Sequence, residues 1–154
     1  MFGGSGSTGF TGSAGGGDTL VGGSGDNSFS MTGGDIAFGG PGGSDTFDTG
    51  VATVLIVEGS GTTQVRLGGG HATAFAGSGM DTYTVARGVG GDVGIIGFKV
   101  GDHIALTGGF TSADASAALS TASIGSFGTI LNLSDGTRMT LFGTTLTTSQ
   151  ISNA

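Results

Sequence analysis

"GGSGDNSFSMTGGDIAFGGPGGSDTFDTG", residues 22–50, has the composition of a flexible linker, yet Phe29, Phe38 and Phe47 stand nine residues apart in it. A solvated linker has no use for bulky apolar side chains at a fixed interval. Carried outward, the same register divides residues 13–84 without a gap into SAGGGDTLV, GGSGDNSFS, MTGGDIAFG, GPGGSDTFD, TGVATVLIV, EGSGTTQVR, LGGGHATAF and AGSGMDTYT. The fourth place holds Gly16, Gly25, Gly34, Gly43, Ala52, Gly61, Gly70 and Gly79. The eighth holds Leu20, Phe29, Phe38, Phe47, Ile56, Val65, Ala74 and Tyr83. Two such columns in one register mark a solenoid, whose short units bury their apolar residues only by stacking on their neighbours.

The recurring glycine is expected to supply a turn conformation with positive φ. A short strand then points the eighth residue inward and its neighbours outward. Ala52, in place of glycine, predicts an irregular turn. Upstream, GGSGSTGFT (3–11) fits the register with Gly12 as one extra residue. Downstream, residues 85–93 keep Gly88 but put Asp92 in the inward place, so the solenoid is expected to end near Tyr83. Met1 runs straight into FGGSGSTGF, which reads as a repeat already under way in a longer protein.

Composition bounds the rest. Glycine supplies 37 of 154 residues and proline one, which without a period would read as disorder. With 36% hydrophobic and 10% charged residues, the chain is too apolar for a solvated tail. A net charge of −7 with four Lys and Arg residues leaves no basic patch for nucleic acid. The absence of cysteine excludes disulfides and thiolate metal sites. No basic segment followed by an apolar core opens the chain, so no cleavable signal peptide is expected. The longest apolar run, residues 51–57, is far too short to cross a bilayer.

The units resemble the calcium-binding nonapeptide G-G-x-G-x-D-x-U-x of the RTX (hemolysin-type) β-roll family, with GGSGDNSFS the best match, then GPGGSDTFD and AGSGMDTYT. The resemblance implies a parallel β-roll in which two units make one coil. It also implies a secreted or cell-surface bacterial protein exported by type I secretion machinery through an uncleaved C-terminal signal. The expected fold is therefore all-β: a right-handed parallel β-roll solenoid of nonapeptide repeats with a mixed, mainly β C-terminal cap. Residues 3–93 form the degenerate RTX-like roll and residues 94–154 the capping and secretion-signal region. Phe29, Phe47, Val65 and Tyr83 should form one inward stack, and Leu20, Phe38, Ile56 and Ala74 the facing one.

In the cap, GIIGFKVGDHIALTGGF resembles the segment that closes RTX rolls. LNLSDGTRMTLFGTT reads as a hairpin turning at Ser134-Asp135-Gly136, and SADASAALSTA as a short helix capped by Ser112. The last residues are uncharged apart from the C-terminal carboxylate, which suits a type I signal.

In the family the sixth residue of each unit is an aspartate that binds calcium together with loop carbonyls, a hard-oxygen site. Here that column reads Asp18, Asn27, Ile36, Asp45, Val54, Thr63, Ala72 and Asp81. On the two-unit coil, Asn27, Asp45, Thr63 and Asp81 share one edge, and Asp18, Ile36, Val54 and Ala72 the other. Calcium is therefore expected at few sites: Asn27 with Asp45 first, Asp81 and Asp18 as weaker candidates that also read as ordinary turn carboxylates.

No catalytic constellation stands out. His71 and His103 are isolated, Asp102 beside His103 has no marked nucleophile, and the glycine loops lack the Lys-Ser/Thr of a phosphate cradle. The expected function is non-catalytic: a calcium-associated module for extracellular folding and type I secretion, or a self-assembling structural protein of a surface, filament or matrix. A carbohydrate- or ice-binding face would want a regular outward array of Thr or aromatics, which the outward places do not show. Ser28, Ser30, Thr46, Asp48, Gln64, Arg66, Thr82 and Thr84 should face out from one sheet, all polar. Thr19, Val21, Ala37, Gly39, Leu55, Val57, Thr73 and Phe75 should face out from the other. That apolar face is either covered by the C-terminal segment or used in a homo-oligomer or filament centred on Leu55, Val57 and Phe75.

Overall fold

The computed structural model describes residues 1–153. The C-terminal carboxylate, counted above toward a secretion signal, lies outside the described residues. Short strands follow one another at the repeat interval: β1 (Thr8–Thr11), β2 (Thr19–Val21), β3 (Asn27–Ser30), β4 (Ile36–Phe38), β5 (Ser44–Asp48) and β6 (Thr53–Val57). Next come β7 (Thr62–Leu67), β8 (His71–Phe75), β9 (Asp81–Ala86), β10 (Asp92–Ile96) and β11 (His103–Thr107). A helix α1 (Ser112–Ser120) precedes β12 (Ser123–Gly125), β13 (Gly128–Asn132), β14 (Arg138–Phe142) and β15 (Ile151–Asn153).

Strands β1 to β11 alternate between two sheets, which makes a parallel β-solenoid of about five turns. The seven-stranded sheet runs β1-β3-β5-β7-β9-β11-β15, and the eight-stranded sheet runs β12-β13-β14-β10-β8-β6-β4-β2. Phe29, Phe47, Val65 and Tyr83 are direct neighbours across β3, β5, β7 and β9, as expected. Phe10 and Phe29 stack at 4.8 Å between ring centroids, and Phe29 and Phe47 at 4.5 Å.

The facing stack departs from expectation at one place. Leu20, Ala37, Ile56 and Ala74 are in line, so Ala37 points inward and Phe38 outward. The turn before β4 is one residue shorter than the nonapeptide register demands, and the turn after it, which contains Pro41, is one longer. The sequence period survives while the strand slips by one residue and turns its side chains over. Ala37 is fully buried between Leu20 and Ile56, so the interior takes the small side chain there and leaves the phenyl of Phe38 on the outer face. The same slip puts Asp35, not Ile36, in the sixth-residue column, and it turns Gly39 into a turn residue.

The glycine column has a different cause from the one expected. Positive φ occurs at Gly16 and Gly43, whereas Gly25, Gly61, Gly70 and Gly79 do without it. There the backbone of the coil below lies too close for a Cβ: one on Gly25 would come within 2.6 Å of the Gly6 carbonyl carbon. Ala52 also avoids positive φ.

Both sheets continue past Tyr83. β10 adds to β8 with Val93 and Ile95 inward, and β11 adds to β9 with Ile104 and Leu106 inward. A longer loop around Gly88–Gly91 absorbs extra residues, so Asp92 is not inward but half-exposed beside Arg138, 3.6 Å away. The hairpin of β13 and β14 is as expected, with Gly136 at φ 91°. Helix α1 is capped by Thr111 rather than Ser112: Thr111 and Asp114 exchange side-chain bonds to each other's backbone N–H.

Candidate functional site

The sixth-residue column lies at the start of each strand, where a turn climbs from one sheet to the other. Buried Asp45 accepts at Oδ1 from the Asn27 backbone N–H (3.1 Å) and from Asn27 Nδ2 (2.8 Å), and at Oδ2 from Gly40 N–H (2.7 Å). Asp102 repeats this one coil after Asp81: Oδ1 accepts from Asp81 N–H (3.1 Å) and Oδ2 from Lys99 N–H (2.9 Å). On the opposite edge Asp35 accepts from Asp18 N–H (3.0 Å) and Thr32 N–H (3.3 Å). Each carboxylate thus ties its own turn to the start of the strand one coil below, satisfying buried N–H groups that the sheet ladder does not reach.

Of the four candidate ligands, Asn27 and Asp45 are in direct contact. Asp81 lies two coils along the same column with Thr63 between them. Asp18 is on the other edge against Asp35, where the Ser13 N–H holds its carboxyl below the usual range. The sequence reading does not single out Asp35, and it weighs Asp102 only as a catalytic acid beside His103, not as a member of this column. Their signal was a Gly-Asp pair directly before an alternating strand, out of phase with the nines. Asn27 Nδ2 also donates to the carbonyls of Gly23 (3.1 Å) and Gly25 (2.7 Å), so an amide nitrogen stands where three oxygens converge. In this arrangement the Asn27 amide presents its N–H₂ to those oxygens. Among the described residues no group of three or more His, Asp or Glu is set to hold a metal ion.

A second polar group is buried one edge-turn further on. Tyr83 donates to Glu58 Oε1 at 2.7 Å, and burial pushes the Glu58 carboxyl up to about 8, with the nearby Asp81 charge adding to the effect. Asp81 is buried and neither of its carboxylate oxygens has a hydrogen bond. Lys99 Nζ approaches Asp81 Oδ2 at 3.5 Å, while it bonds to the Gly77 carbonyl (2.8 Å) and Asp102 Oδ1 (3.2 Å).

The outer faces of the two sheets differ in kind. On the seven-stranded sheet Ser28, Ser30, Thr46, Asp48, Gln64, Arg66, Thr82 and Thr84 all point out, as expected. On the eight-stranded sheet one row runs Val21, Phe38, Val57, Phe75, Ile96 and Phe142 across six neighbouring strands in register. Phe38, Phe75 and Phe142 are 37%, 40% and 41% exposed. A parallel row carries Ile36, Leu55 and Thr73, with a shallow groove over them. The C-terminal segment does not fold back over this face; it extends the sheet sideways through β14, β13 and β12. Ile124 and Phe127 extend the exposed apolar surface beside it.

His103 Nε2 shares a 2.8 Å hydrogen bond with Ser152 Oγ, and His71 is exposed on β8 in line with Asp92. No family model matches this chain, and no curated protein is found similar to it.

Proposed function

We propose that this chain is a non-catalytic, RTX-like structural β-roll that assembles with second copies of itself through the outer face of its eight-stranded sheet. The observation that carries this reading is the apolar row from Val21 to Phe142. Strands about 4.8 Å apart with three outward residues each make a face of roughly 500 Å² per copy, close to the smallest area of a specific pairing. The net charge of −7 lies elsewhere: this face carries Asp92 and Arg138, which pair with each other. Two copies can therefore meet face to face without like-charge repulsion. The nonapeptide resemblance supports a secreted or bacterial cell-surface setting reached by type I secretion.

Light scattering of the wild-type chain over a concentration series tests the reading, together with Val57→Asp/Phe75→Asp. Assemblies in the wild type and a folded monomer in the variant are expected. A wild type that stays monomeric at high concentration overturns it.

A second reading is a calcium-associated folding and secretion module. It is supported by the nonapeptide resemblance and by the Gly23 and Gly25 carbonyls and Asp45, which converge on the Asn27 amide; calcium there requires that amide to turn its oxygen inward or swing out. Calorimetric titration of the chelated protein with calcium distinguishes the two. Saturable binding at few sites supports it, and no heat of binding rejects it.

A further inference from the structure

Glycines 23, 40, 59 and 77 occupy one place in successive turns: a Cβ on each would strike the carbonyl of the glycine one coil below. In the first of these turns the strand residue four positions on is Asn27, whose own nitrogen reaches the Gly23 carbonyl and Asp45 of the next coil. In the last, the equivalent residue is Asp81, which has only oxygens to offer. Its counterpart of Asp45 is Asp102, which takes the Asp81 backbone N–H as Asp45 takes that of Asn27. Asp81, Asp102 and the Gly77 carbonyl are thus an oxygen cage without a nitrogen of its own; neither buried Asp81 oxygen receives an N–H, and the Glu58 carboxyl, which keeps its proton up to about pH 8, is a neighbour of Asp81. The nitrogen that enters comes from the next turn: Lys99 Nζ, at 2.8 Å from Gly77 O, 3.2 Å from Asp102 Oδ1 and 3.5 Å from Asp81 Oδ2.

We propose that the Lys99 ammonium is the resident cation of this cage, fastening the β10–β11 turn to the turn below, and that a divalent cation takes its place when the ammonium is removed. Two buried carboxylates facing each other without a cation repel, and a hard ion bound by oxygens is the external substitute for the tethered charge. The inference is independent of self-assembly through the outer sheet face.

The test is thermal unfolding of the wild type, Lys99→Ala and Lys99→Ala/Asp81→Asn, each in chelator and in saturating calcium. Lys99→Ala should melt lower than wild type in chelator and recover by about 5–10 °C with calcium, as expected for a ligand that binds only the folded state. If Lys99→Ala does not fold in chelator, folding on calcium addition supports the proposal. The double variant places at position 81 the amide that Asn27 uses in the first turn. It should fold in chelator, melt above Lys99→Ala there, and lose the calcium response. A Lys99→Ala protein indifferent to calcium overturns the proposal. So does a wild type with the same calcium shift as the variant, or a double variant no more stable than Lys99→Ala.

Discussion

Tyr83 and Glu58 meet inside the roll, the phenol donating to the carboxyl at 2.7 Å although the two residues belong to different sheets' strands and turns. Burial and the neighbouring Asp81 raise the Glu58 carboxyl from 4.5 to about 8, so the folded chain holds a proton that the unfolded chain releases near pH 4.5. Stability from this group is fully present below pH 4.5, declines between pH 4.5 and 8, and is gone above. The decline is at most about 1.4 kcal/mol per pH unit. Glu58→Gln keeps an acceptor for Tyr83 and should flatten denaturant-measured stability across that window. An unchanged slope would assign the titration to another group.

The stacked rings of Phe10, Phe29 and Phe47 carry the packing of the first coils. Phe47→Ala removes the fully buried ring between Phe29 and Val65, which the narrow roll cannot close up, and should cost about 3–5 kcal/mol in urea unfolding. Phe38→Ala, one repeat away and partly exposed, should cost less than 1.5 kcal/mol. Equal losses would contradict the slipped register of β4.

Asp35→Ala leaves the N–H groups of Asp18 and Thr32 without their acceptor and should destabilise by roughly 2–4 kcal/mol. Ile36→Ser should be nearly neutral for folding, because Ile36 lies on the outer face. The opposite ranking in chemical denaturation would restore Ile36 to the inner column.

Chelation should leave the β-structure in place. Asp35, Asp45 and Asp102 are held by N–H donors and Asp81 faces Lys99, so the turns do not depend on metal to offset repulsion. Far-ultraviolet circular dichroism in excess chelator is expected to retain a β spectrum. A random-coil spectrum would show that the roll needs an ion.

The nine-residue spacing of glycine and large apolar residues was enough to read a solenoid, because stacking repeats bury their cores only if the pattern never drifts for long. It also identified the Phe29–Tyr83 column, the polar outer face of that sheet and the Ser134–Gly136 turn, all set by local periodicity and turn chemistry. Where two turns differ in length by compensating single residues, the period persists while the strand between them turns over. Only the stacking of the coils decided that Ala37 goes in and Phe38 goes out. The partners of the carboxylates were likewise invisible in the linear chain. Asp35, Asp102, Glu58 and Lys99 acquire their roles from groups one coil away, at separations of 17 to 25 residues. Distances of that kind are fixed by how the coils stack, and no local pattern records them.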